Sequence, residues 1–337
     1  MSQRKPQRIG ITPTQAYGLK HQLAAPALAE ANGYTDAWYA DTGYPDTLTL
    51  AATTAANTSK LRVGVAVNSV YARTPATLAA TASTLDSLLG GRFVLGIGSS
   101  SAAMVEGWHG VPFEKPVTRV RETTEIIRQA LSGDKTDFQG ETVSSKGYKQ
   151  EASEVPVFIA ALRPKMIETA AAYGDGVVLN LWPKSALPKI MQHIRIGAEK
   201  TGKAPEDVEV INRYQICVTD DVDAARDKFR KSFGAYYATS VYNSYLIWSG
   251  FEEEAHNILE AWNRRDRAAV AAAFTDELID ELALIGSVGA VVERLRDFGE
   301  NGIDTHILST FSGYTQAEYD RVLVSIVNRW NRLGKQG

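Results

Sequence analysis

The sequence predicts an α/β protein, and within that class a TIM (β/α)8 barrel with insertions. Two observations carry this. Short apolar runs alternate with segments of helical periodicity along the chain. The connections between them are tight, as parallel strand–helix units require. Eight such units favour a closed barrel over an open sheet. At 337 residues the length suits one barrel with insertions, read here as a single domain over 1–337.

The elements follow in order. Residues 8–11 form the first strand, and a helix over 23–32 stops at Gly33. A second strand covers 35–40, with Trp38 and Tyr39. An alanine-rich helix covers 46–57, and LRVGVAVN at 61–68 alternates as a strand. Thr74 can cap a helix whose first residue is Pro75. Leu78, Ala82, Leu85 and Leu89 give that helix one apolar face, and Gly90–Gly91 end it. The fourth strand, 93–97, follows directly. A helix over 117–131 leads to a glycine-containing hairpin over 137–149. Strands at 155–160 and 176–181 flank a helix beginning at Pro164. After a helix over 186–201, the seventh strand runs 208–218. Extra helices are expected between about 232 and 280. Ser287 caps a helix with Val288, Val291, Val292, Leu295 and Phe298 on one face. The last strand is 303–308, and a helix over 315–333 closes the chain.

Composition narrows the function. Hydrophobic content of 44% and charged content of 22% are those of a globular protein. A net charge of −3 without a basic run argues against nucleic acid. The first fifteen residues, with Pro6 and Pro13, carry no signal-peptide core, and no apolar run is long enough to span a bilayer. A soluble cytoplasmic protein is expected. The single cysteine, Cys217, sits in an apolar strand and reads as buried and inert.

The segment RFVLGIGSSSAAMVEGWHGVPFEKPVTRVRE, residues 92–122, is the most informative. A strand ends in glycine and three serines follow, in the place where α/β enzymes carry their chemistry. Ser99, Ser100 and Ser101 can bind phosphate or ring carbonyls, or form a solvated loop. Gly96–Gly98 is not a dinucleotide fingerprint, because no third glycine follows at the required spacing. The turn Ala161–Leu162–Arg163–Pro164 precedes a helix whose first N–H groups make an anion site. Leu162 and Arg163 would supply N–H groups and Arg163 a charge; an ordinary proline-started turn is the alternative. His109, in a loop after the fourth strand, is the one titratable candidate at the rim, for catalysis or for packing. Glu106 can pair with it. His21, His193, His256 and His306 form no ligand cluster, so no metal is expected. Tyr236, Tyr237, Tyr242, Tyr245 and Trp248 line either a pocket, a core or a dimer interface.

Four segments in order resemble the luciferase-like flavin oxidoreductases: residues 92–122, PVFIAALRPKMIETAAAYGDGVVLN at 156–180, CVTDDVDAARDKFR at 217–230 and IGSVGAVVERLRDFGENGIDTHIL at 285–308. The resemblance covers nearly the whole chain, and VEGWHG–PFEKP is most similar to members that use the deazaflavin coenzyme F420. It implies hydride transfer between coenzyme F420 and a small organic substrate, in a homodimer. An FMN-dependent monooxygenase and a non-catalytic flavin-binding paralogue are the alternatives. It implies cofactor contacts from Asp41, Asn68, Gly98, Ser99, Ser100, Asn180, the turn at 161–164 and Arg119, for which a surface ion pair is the other reading. It also implies a non-proline cis peptide at Ala66–Val67 or Val67–Asn68. Many relatives carry histidine where this chain has Thr42, and sugar-phosphate dehydrogenases of the family carry glutamate where it has Ser99. Both departures argue against that sugar-phosphate activity, because neither hydroxyl titrates near neutral pH.

Overall fold

The structure, a computed structural model, describes residues 7–311 and 313–334. Residues 1–6, on which part of the reading of the N-terminus rests, lie outside the described residues. The strands are β1 (Arg8–Ile11), β2 (Asp36–Tyr39), β3 (Arg62–Val65), β4 (Asn68–Ser69), β5 (Phe93–Gly98), β6 (Asp137–Gln139), β7 (Ser144–Lys146), β8 (Val157–Ala160), β9 (Gly176–Asn180), β10 (Glu209–Val218), β11 (Ala283–Gly286) and β12 (Thr305–Thr310). Helices separate the parallel strands, as in a (β/α)8 barrel. The chain forms two compact units, Gly10–Val178 with His193–Ile211, and Leu179–Gln192 with the chain from Asn212 onward and the start of β1.

In the first unit, β1, β2, β3, β5, β8 and β9 lie side by side in chain order. All pair in parallel, with Gly10 opposite Asp36, Asp36 opposite Arg62, and Leu95 opposite Val157. Such strands are covered on both faces and read as continuous apolar runs; every residue of β5, FVLGIG, is buried. The helix Pro75–Leu89 forms for the reasons expected. Thr74 Oγ1 accepts from the Thr77 N–H at 3.3 Å, Pro75 takes the first turn, and Gly90 ends it at φ 62°. Leu78, Ala82, Leu85 and Leu89 are its buried face. At the amino ends of the strands, Arg62 bonds Asp36 through Nε at 2.6 Å and Glu209 through both terminal nitrogens at 2.9 and 2.7 Å. The hairpin of β6 and β7 is antiparallel. Its turn rests on Glu122, a carboxylate only 2% exposed that accepts from the N–H groups of Glu141, Thr142 and Val143.

In the second unit, β10 lies between β11 and β12, with Gln215 opposite Ala283 and Val218 opposite Gly286. The helices Val222–Tyr237, Ser240–Ser249, Glu252–Asn263, Arg267–Ala272 and Asp276–Leu282 fill the expected insertion. Phe229, Leu246, Ile258, Phe274 and Ile279 are its apolar centre. Ser287 caps the helix Val288–Glu300 by accepting from the Ala290 N–H at 3.2 Å.

Three elements depart from the sequence reading. The third strand is not continuous to Asn68: it breaks after Val65 and resumes as β4. Strand β11 lies just past the expected insertion, in a stretch to which the sequence reading assigned no element. The segment expected as a loop around His109 is a helix, Ala102–His109, because Ser101 accepts from the Met104 N–H at its start and Gly110 turns left-handed at its end.

Candidate active site

The carboxyl ends of β2, β3 and β5 in the first unit bring several expected residues together. The β3 chain follows β2 as far as Ala66, whose N–H donates to the Tyr39 carbonyl at 2.8 Å. The next peptide bond, Ala66–Val67, is cis, the first of the two positions the resemblance implied. The chain then rejoins β5, with Asn68 opposite Ile97 and Ser69 opposite Gly98.

Two glycines of β5 make room for this bulge. A Cβ on Gly96 would lie 1.8 Å from the Val65 carbonyl oxygen, and one on Gly98 would lie 2.7 Å from Val67 Cγ2 and 3.2 Å from Ala160 Cβ. Their role is therefore steric, and the sequence reading missed it. Only the spacing of two glycines at a strand end facing VAVN could have signalled it.

Asn68 is fully buried. Its Nδ2 donates to Asp41 Oδ2 at 2.8 Å and to Thr47 Oγ1 at 3.0 Å. Its Oδ1 is buried and has no hydrogen-bond partner among the described residues. Asp41 Oδ1 accepts from the Gly43 N–H at 3.1 Å, so both carboxylate oxygens are oriented. Thr42 is exposed and accepts from Gln15 Nε2 at 3.1 Å.

The serines differ in role. Ser101 is the helix cap, and Ser100 holds a left-handed φ of 60°. Ser99 Oγ donates to the Ser100 carbonyl at 3.3 Å. In the turn after β8, the Ala161 N–H is taken by the Val178 carbonyl at 3.1 Å. Ala161 therefore cannot offer that N–H to an anion. Arg163 is exposed and occupies the cap position of the helix Pro164–Tyr173, and no side chain caps that helix.

Arg119 forms no surface ion pair among the described residues. Its Nη1 donates to the Thr142 carbonyl, its guanidinium lies 5.3 Å from the Tyr71 ring, and its Nε is buried without a partner. Burial pushes the Tyr71 phenol up, and the Arg119 charge pulls it partly back. The Tyr71 hydroxyl donates to the Glu114 carbonyl at 2.6 Å, which fixes the start of the helix Pro116–Leu131.

His109 is exposed at the end of its helix. Glu106 does not pair with it; Glu106 Oε1 accepts from the Phe113 N–H at 3.2 Å instead. Trp108 lies over the chain at Gly43, where an added Cβ would be 3.0 Å from its Cζ3.

Asn180 belongs to the second unit. Its Nδ2 is 3.5 Å from the Tyr242 hydroxyl, and its Oδ1 is buried with no hydrogen-bond partner among the described residues. Of the aromatic group at 236–248, Tyr237 and Tyr245 are fully buried and Tyr236 is 47% exposed. Cys217 is buried in β10. Among the described residues no helix is long and apolar enough to cross a membrane.

The luciferase-like monooxygenase family matches residues 6–305. The chain is 30% identical over 284 residues to the 5,10-methylenetetrahydromethanopterin reductase of Archaeoglobus fulgidus, covering 82% of this chain and 85% of that one. It is 26% identical over 260 residues to an F420-dependent glucose-6-phosphate dehydrogenase of Nocardia farcinica, covering 72% and 77%. The solved coenzyme F420-dependent tetrahydromethanopterin reductase of Methanopyrus kandleri superposes with a TM-score of 0.80 at 22% identity, over 96% of this chain and 97% of that one. That likeness shows the (β/α)8 fold. The chain belongs to the luciferase-like monooxygenase family and is one of its oxidoreductases.

Proposed function

We propose that the protein is a coenzyme F420-dependent oxidoreductase that exchanges a hydride with a small organic substrate. The observation that carries this reading is the bulge at Ala66–Val67, seated on Gly96 and Gly98 beside the unpartnered Oδ1 of Asn68. A buried acceptor of this kind suits the imide N–H of a flavin-type ring, because leaving it unpaired is costly. The relatives named for coenzyme F420 support the choice of deazaflavin over FMN.

The residues present fit the cofactor. Asn68 and Asp41 would meet the polar edge of the ring, and Gly98, Ser99 and Ser100 would line its approach. The N–H groups of Leu162 and Arg163, at an uncapped helix start, would take phosphate. Arg119 would add a cation held in place by Thr142 and Tyr71. When bound, the deazaflavin supplies the hydride; the protein orients it and excludes water. Thr42 and Ser99 bring no acid to this reaction.

The test is anaerobic. Protein loaded with reduced coenzyme F420 should be reoxidised by organic acceptors at a rate well above that of free cofactor. Reoxidation that requires oxygen would point to a monooxygenase.

A further inference from the structure

Thr142, in the turn between β6 and β7, bonds two charged side chains of one helix. Its N–H and Oγ1 donate to Glu122 Oε2 at 2.8 and 2.7 Å, and its carbonyl accepts from Arg119 Nη1. Glu122 also accepts from the N–H groups of Glu141 at 2.8 Å and Val143 at 3.2 Å. Arg121 lies 3.5 Å from Glu122 Oε1, but it is 40% exposed and such a contact is weak. Gly140 closes the turn against the carboxylate: a Cβ there would lie 2.5 Å from Glu122 Oε2 and 2.3 Å from the Val143 carbonyl oxygen. Glu122 and Arg119 are three residues apart on the helix Pro116–Leu131 and so share a face. They do not pair with each other. Backbone N–H groups satisfy the carboxylate, and the guanidinium keeps its charge.

Arg119 is held from a second side. Its guanidinium lies 5.3 Å from the Tyr71 ring, and Tyr71 is fixed by its bond to the Glu114 carbonyl at 2.6 Å and by the Phe113 ring at 5.3 Å. The Arg119 Nε–H is buried with no hydrogen-bond partner among the described residues. Buried donors are normally satisfied, and a charged donor bonds an anion best. The place suits one. Strands β5 and β8 are neighbours, and the helix Pro116–Leu131 packs against the helix Pro164–Tyr173. Both helices start on the carboxyl side of the sheet, so Arg119, in a first turn, lies on the same side as the uncapped turn at Leu162 and Arg163. Holding a long side chain in advance removes an ordering cost of about two- to tenfold in affinity.

We propose that Glu122 is a positioning residue for the cofactor's phosphate: through the turn at 140–143 it holds Arg119 with its Nε–H open to a phosphate oxygen. This rests on the coenzyme F420 reading above. The β6–β7 hairpin then belongs to the phosphate site at one remove, through the Thr142 carbonyl. The sign of the effect separates positioning from charge. Removing a negative charge alone would tighten the binding of an anion, whereas releasing the turn weakens it.

Two measurements test this. The first needs no cofactor. Protein labelled with 15Nε-arginine is followed by NMR, and the Arg119 Nε–H is the resonance missing in Arg119→Met. Its exchange with water should quicken about tenfold or more in Glu122→Met, because the clasp that buries it opens. Unchanged exchange overturns the proposal. The second is the Kd for coenzyme F420 and for the phosphate-free deazariboflavin. Glu122→Met should raise the first about three- to tenfold and leave the second within about twofold. Glu122→Gln, which keeps an oxygen for Thr142 and Val143, should return the Kd for coenzyme F420 to within about twofold of wild type. In an Arg119→Met background Glu122→Met should add less than about twofold, since the two residues act as one unit. Should Glu122→Met fail to fold, Gly140→Ala displaces the turn with the carboxylate intact and should show the same rise. An equal loss for the phosphate-free ring, an equal loss in the Arg119→Met background, or no rescue by glutamine makes Glu122 a structural residue and overturns the proposal. Failure of the cofactor reading is distinct: wild type then binds no coenzyme F420, or Arg119→Met leaves its Kd unchanged, and the proposal falls with that reading even where the exchange result holds.

Discussion

Gly96 and Val65 approach so closely that a Cβ on the glycine would lie 1.8 Å from the valine carbonyl oxygen. The contact is backbone against backbone, so no side-chain rotation relieves it. Gly96→Ala is expected to destabilise the protein by about 3 kcal/mol or more, at the upper end of overpacking costs. Gly98→Ala meets the side chains of Val67 and Ala160 instead. It should cost less stability, about 1–2 kcal/mol, by the same overpacking argument. Chemical denaturation of the two variants gives the order directly.

Arg62 is held at the amino ends of the strands by two carboxylates. It bridges Asp36, which is fully buried, and Glu209, and lies 5.6 Å from the Trp38 ring. Arg62→Met removes a charge-assisted bond from the fully buried Asp36 carboxylate, at a cost of about 3–5 kcal/mol. The network lies at the amino ends of the strands, so the cofactor Kd of the surviving folded protein should change less than about twofold, as remote sites act independently. A variant of wild-type stability would contradict this.

Acid should loosen the first unit through Glu30. Burial pushes its carboxyl up, but bonds from the N–H groups of Lys60, Ser59 and Leu61 win and hold it at about 2. Because the folded value is depressed, the stabilisation is complete above the unfolded value of about 4.3 and is lost as pH falls toward 2. Glu122 is displaced in the same direction by its bonds to the turn at 141–143. In Glu30→Gln the loss of stability between about pH 5 and pH 3 should be shallower than in wild type, measured as the denaturation midpoint against pH.

Much of the fold was legible in local signals. Thr74 and Ser287 cap helices where the sequence places them, and Gly90 ends one. The Ala102–His109 helix was missed although Ser101 and Gly110 carry the same cap signals, because glycine and serine near a strand end read first as loop. The site was less legible. The Asp41–Asn68 bond spans 27 positions and the Asn180–Tyr242 contact spans 62, so no local pattern encodes either. Ala161 was read as part of the phosphate turn, and only the neighbouring strand shows that its own N–H goes to the Val178 carbonyl.

His109→Ala should leave turnover within about twofold of wild type, since Glu106, which could have oriented the imidazole, accepts from the Phe113 N–H instead. A hundredfold loss, or a neutral limb in the pH–rate profile that vanishes with it, would return His109 to the reaction.

Arg163→Glu tests the phosphate assignment. Arg163 is exposed, so the penalty is smaller than for a buried pair. About 1–2 kcal/mol, or roughly a 5–30-fold rise in the Kd for coenzyme F420, is expected from reversing a charge at a helix start. The circular dichroism spectrum should be unchanged.

The account's central claim is cofactor identity, and side-by-side equilibrium titration of the purified protein with coenzyme F420 and FMN, read by fluorescence quenching, tests it most directly. Tighter binding of coenzyme F420, weakened by Arg163→Glu, is the predicted result. Tighter binding of FMN, or binding of neither, would contradict it.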